Sequence, residues 1–172
     1  MTIKLNRRYI RQARALCASL GYDFARFEID SFTACIERAR GRPIEFVHFD
    51  MPAGIFGAWI RCGQREFVFL SRELSGVGEV HVRLHELAHI LCGHPTLDVA
   101  RPESLLEGGQ GVLFRADGIT HADPRIDQEA EALALVILQR VVDHRRLGEL
   151  IDARRTSRSY QDYLKEIGVL VE

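Results

Sequence analysis

Apolar positions recur at three- and four-residue intervals near the start of the chain. Tyr9, Ile10, Ala13, Leu16, Cys17 and Leu20 predict an amphipathic helix over 7–20, which Gly21 can end. Asp30 is placed to cap a second helix that buries Phe32, Ile36 and Ala39, before Gly41 and Pro43 stop it. From Ile44 the period shortens towards two. Strands are predicted over Ile44–Phe49, Gly57–Arg61 and Glu66–Ser71, with turns at Met51–Gly54 and Cys62–Gln64. Such short connections predict an antiparallel meander. The unbroken apolar run Phe67–Leu70 predicts a strand covered on both faces, or one whose edge is used.

After Gly76-Val-Gly78 the spacing is helical again. Val80, Leu84, Leu87, Ala88 and Leu91 form one stripe through Cys92, and Gly93 and Pro95 are stop signals. Residues 95–122 show little periodicity and read as a long loop, a feature that in a small domain usually carries function. Asp123-Pro124 reads as a helix start, N-cap followed by first-turn proline, for an Ala- and Leu-rich helix running to about Val142. A basic link at His144-Arg-Arg146 leads to a last amphipathic stretch near Tyr160–Ile167. The order of elements gives an α+β class, with N-terminal helices, a small mostly antiparallel sheet, a central helix and C-terminal helices.

The chain of 172 residues suits one domain with a real core. Its net charge of -1 gives no basic surface for nucleic-acid phosphates, so no direct nucleic-acid binding is expected. No run approaches the roughly 20 apolar residues of a membrane span, and the polar, basic start shows no signal peptide. Four scattered cysteines, Cys17, Cys35, Cys62 and Cys92, form no Cys-x-x-Cys pair and no disulfide framework. Each reads as a small buried apolar residue of a cytoplasmic protein.

The chemistry lies in His85-Glu86-Leu87-Ala88-His89, an H-E-x-x-H sequence within the central helix. Residues four apart share a helix face, so both imidazoles can converge on one ion. Zinc there acidifies water and polarises an amide carbonyl, with Glu86 as general base. Zinc needs a third protein ligand, and the later helix offers Asp127, Glu131 and Glu129. Asp127 and Glu131 share a face with Ala130 and Ala134, small residues that let the two helices approach. Glu129 projects about 160° from Glu131, towards another side. Geometry therefore orders the candidates Asp127, Glu131, Glu129. His94 is read as a supporting or capping group, with an extra ligand role as the alternative. His121 is placed to donate to an oxyanion, and His81 to support the site. His48 and His144 carry no signal.

These residues resemble the ImmA/IrrE family of metallopeptidases. The resemblance runs over roughly residues 38–140. It rests on Gly41-Arg-Pro-Ile44, on V-F-L-S-R-E-L ending at Leu74, on V-R-L-H-E-L-A-H-I-L-C-G-H ending at His94, and on D-Q-E-A-E-A-L-A-L-V-I-L from Asp127. It implies a zincin-like domain over 1–172, with N-terminal helices in 1–40, a zinc-site core in 41–140 and a C-terminal helical extension in 141–172. It also implies zinc on His85, His89 and Asp127, Glu86 as base, and Glu131 behind a ligand, orienting a histidine. Asp127 stands where the family usually has Glu, which leaves Glu131 as an alternative ligand. Ile137-Leu-Gln-Arg140 lacks the family's usual proline.

Members of that family often control helix-turn-helix repressors. The resemblance thus implies a regulatory zinc endopeptidase that cuts a protein partner, with a separate DNA-binding repressor as the expected substrate. The alternatives are a non-proteolytic repressor- or toxin-binding module on the same fold, and a zinc amide hydrolase with a small substrate. The apolar strand Phe67–Ser71 is expected beside the site, holding substrate as an added strand.

Overall fold

The computed structural model describes residues 6–99 and 123–143. The expected loop beyond Val99, His121, His144 and the C-terminal extension lie outside them.

Helix α1, Arg7–Ser19, starts on Asn6, whose side chain accepts from the Arg8 N–H, and buries Ala13 and Cys17. Helix α2, Ile29–Arg40, buries Phe32, Thr33 and Ile36 and ends on Gly41 at φ 66°. Asp30 is not its cap, contrary to expectation. It lies in the first turn, where a carboxylate still faces the positive end of the helix dipole, while Glu28 holds the cap position without a side-chain bond. Between these helices a short 3-10 turn, Phe24–Arg26, gathers Tyr22, Phe24, Phe27 and Phe32 into a cluster with ring centroids 5.0 to 6.4 Å apart.

Strands β1 (Ile44–Phe49), β2 (Gly57–Cys62), β3 (Arg65–Ser71) and β4 (Leu97–Val99) form one sheet in the order β1-β3-β2-β4. The expected meander is wrong. Only β2 and β3 are antiparallel; β1–β3 and β2–β4 are parallel, so the sheet is mixed rather than mostly antiparallel. The loop lengths explain it. Gly63-Gln64 is a two-residue turn that obliges β2 and β3 to pair as a hairpin, Cys62 opposite Arg65. The longer connection over 50–56 lets β2 step past the neighbouring position, and β3 fills the slot beside β1. Strand β4 arises where the sequence reads as irregular.

Strand β3 is covered on both faces. Val68 and Leu70 join Ile44 and Trp59 in the main core beneath the helices, while Phe67 and Phe69 pack with Ile60 and Cys62 on the other face. One charge is buried in this sheet. Glu66, fully buried, accepts from Trp59 Nε1 at 2.7 Å and lies 3.7 Å from both Arg40 and Arg61.

Helix α3, Gly76–Cys92, packs on β2 and β3 and ends on Gly93 at φ 68°. Helix α4, Pro124–Asp143, lies against both α3 and α1. Asp123 caps it as expected, accepting from the Arg125 N–H. Ala130 and Ala134, both fully buried, permit the close approach of α4 to α3. The architecture is α+β, and no helix among the described residues is long and apolar enough to cross a membrane.

Candidate metal centre

Two flanks of α3 carry the chemistry. Towards α4 it presents His81, His85 and His89, one turn apart in succession. His85 Nε2 lies 3.1 Å from His89 Nε2 and 3.3 Å from Asp127 Oδ1. These three residues form a cluster able to hold a metal ion. In a tetrahedral shell with bonds near 2.0–2.1 Å, ligand atoms stand about 3.3 Å apart. The spacing and the donor set of two imidazoles and a carboxylate therefore fit zinc. The cluster is open on one side: the Asp127 side chain is 29% exposed, whereas His89 is fully buried.

Each histidine turns its other nitrogen to a partner. His85 Nδ1 donates to Glu131 at 3.0 Å, and the same carboxylate accepts from His81 Nε2 at 3.1 Å. Burial pushes the Glu131 carboxyl upward, but the charge and hydrogen bonds of His81 and His85 outweigh that and hold it far below the usual carboxylate range. Burial likewise works to lower His85. Hydrogen bonds to Asp127 and Glu131, with the charges of Glu131 and Glu86, raise it well above 6.5.

His89 has a different support. Its Nδ1 lies 3.0 Å from His94 Nδ1, and His94 Nε2 lies 3.5 Å from Glu129. Burial lowers the His94 pKa, with the hydrogen bond and charge of Glu129 opposing it. Glu129 does project to another side than Glu131, as helix geometry requires, and meets His94 there. Cys92 lies beside them, its thiol pushed up to about 12 by burial and by the charges of Glu129 and Cys17.

The neighbouring flank carries Val82 and Glu86 towards β2. Glu86 is 1% exposed. A Cβ added at Gly57 would stand 2.7 Å from Glu86 Oε1 and 2.6 Å from Val82 Cγ1. Only glycine lets the strand backbone come this close. Gly57 has no role in the sequence reading, although a glycine opening a short strand is itself a signal of close backbone approach.

The structure thus brings together His85, His89, Asp127 and Glu131, with His94 and Glu129 behind them. Glu86 is nearby, on the β2 side. His121 lies outside the described residues. Strand β3 does not flank the site by an edge, because β1 and β2 occupy both its edges. The strand that touches Glu86 is β2. Among the described residues β4 pairs with β2 only over Ile60–Cys62, so Gly57–Trp59 has a strand partner on one side alone. No protein-family model, curated protein or solved structure matches this chain.

Proposed function

We propose that the protein is a zinc-dependent regulatory endopeptidase acting on a protein partner. The observation that carries this reading is the convergence of His85 Nε2, His89 Nε2 and Asp127 Oδ1, on two helices, at spacings that suit one tetrahedral ion. Bound zinc would supply the positive charge that polarises a scissile carbonyl and acidifies water.

The chain's own groups would do the rest. Glu131 and His94 orient the two imidazoles so that each offers Nε2. Glu86, buried against β2, takes the proton of the attacking water and hands it to the leaving nitrogen. The edge of β2 at Gly57, which among the described residues pairs with no further strand, replaces β3 as the place for a substrate segment, where backbone hydrogen bonds would hold an extended peptide beside Glu86. The resemblance in the metal-helix and carboxylate-helix segments supports a helix-turn-helix repressor as the partner class.

The test is Glu86→Gln, assayed in parallel for zinc content, partner binding and partner cleavage. The variant should keep zinc and binding and lose cleavage by at least the roughly 100-fold of a missing general base. Unchanged partner release by the variant would transfer the function to binding without proteolysis.

A further inference from the structure

A second constellation lies behind His89. Cys92, His94 and Glu129 each offer a ligand atom, and these atoms lie within 4.8 Å of one another. The end of α3 builds it: Cys92 closes the helix, Gly93 turns the chain in the left-handed conformation, and the His94 N–H bonds back to the His89 carbonyl at 3.1 Å. Glu129 arrives from α4. Thiolate, imidazole and carboxylate together suit a borderline-soft cation, with a fourth position left for water. A cavity of about 250 Å³ between α1 and α4, lined in part by Gln12, Leu16 and Leu133, opens on Cys92 and Glu129 and gives an ion a way in.

We propose that Cys92, His94 and Glu129 form a second metal site, for zinc or a similar thiophilic divalent cation, and that filling it opposes filling of the His85–His89–Asp127 site. The site stands by itself; the opposition rests on the function proposed above.

The opposition follows from one hydrogen bond. A neutral imidazole has a single N–H. When His89 Nε2 serves the first site, its proton is on Nδ1 and is donated to His94 Nδ1. His94 then carries its own proton on Nε2, towards Glu129, with no lone pair there for a cation. Binding through His94 Nε2 reverses this: the proton moves to His94 Nδ1, is donated to His89 Nδ1, and His89 keeps its proton on Nε2, facing the first site. The Cys92 proton leaves to solvent as the thiolate binds. Filling both sites breaks the His89–His94 bond in a buried place.

Cobalt(II) is the probe, because a thiolate ligand gives it an intense near-ultraviolet charge-transfer band that two imidazoles and a carboxylate do not. Metal-free full-length Asp127→Asn should show the band at the first equivalent, and adding Cys92→Ser or His94→Ala should abolish it. Parent protein preloaded with one equivalent of zinc should need at least about tenfold more cobalt than Asp127→Asn to develop the band. No band in Asp127→Asn, or a band that survives Cys92→Ser, overturns the site. Equal cobalt demand in the two proteins overturns the opposition. Cys92→Ser that binds no metal, beside a normal band in Asp127→Asn, would instead remove the first site and leave this one standing.

Discussion

The two flanks of α3 are held in place by different physics. The α4 flank is a polar lattice in which His81, His85 and His89 are fixed by hydrogen bonds to Glu131 and His94, with Asp127 across the gap. The β2 flank is a steric fit, where Val82 and Glu86 lie against a strand whose approach depends on the missing side chain of Gly57. Substitutions on the first flank should therefore act through metal affinity. Those on the second should act through chemistry and packing, with the metal retained.

The largest effect is expected on the α4 flank. In a Cys92→Ser background, which removes the second site, His89→Ala should abolish zinc binding, and Asp127→Asn should weaken it by more than the roughly 10–100-fold typical of losing an outer hydrogen-bonding partner. Zinc measured in purified protein against a competing chelator checks both; full retention in His89→Ala would refute the centre. Glu131→Gln comes next. It leaves the ligands but removes the charge behind His85, so a loss of about 10–100-fold in affinity is expected. Glu129→Gln should do less, because it reaches His89 only through His94 and a 3.5 Å contact. If Glu129→Gln costs as much as Glu131→Gln, the two histidines are supported alike and the contrast between them fails.

On the β2 flank, Gly57→Ala should lower stability by about 1–3 kcal/mol through overpacking against Val82 and Glu86, and should reduce cleavage while zinc content stays at the parent level. Denaturant unfolding and metal analysis on one preparation separate the outcomes. An alanine variant that cleaves normally would show that Glu86 can move without cost.

The smallest expected effect is on the pH dependence of the metal-free protein. His85 has a raised pKa, so its contribution is full below about 6.5 and fades as pH rises through the folded value. Glu131 has a depressed pKa, so its contribution is full above about 4.5 and fades as pH falls. Stability of chelator-treated protein should peak between these limits. Glu131→Gln should weaken both fades, since it removes one titrating group and the charge that raises the other.

The legible part of this molecule is the part carried by local period and spacing. His85 and His89 come from one helical turn, and Asp127, Glu129 and Glu131 follow from the 3.6-residue geometry of α4, including the separate direction of Glu129. The sheet is not legible in this way, because strand order is not a local property. Ile44–Phe49 and Arg65–Ser71 have the composition of neighbours in any arrangement, and only the lengths of their connections decide that β3 lies between β1 and β2. The same holds for the expectation of Phe67–Ser71 as a substrate strand, since an apolar run does not tell a mid-sheet strand from an edge. Cys92 reads as an apolar filler because Glu129, the third member of its cluster with His94, meets it only when α4 docks.

The bond from Trp59 Nε1 to Glu66 acts as an alignment pin for the whole assembly. Slipping β2 against β3 by one residue would send Trp59 to the opposite face and leave Glu66 buried without its indole, a costly error in an apolar interior. Gly57 stands two residues from Trp59 on the same strand, so the pin also decides which residue lies under Glu86. A buried ion cluster of this kind adds little net stability. Its effect is one of fidelity, since it admits one strand alignment and thereby one position for the strand beneath Glu86. Trp59→Phe should consequently matter less for how firmly the protein folds than for how uniformly its molecules are built.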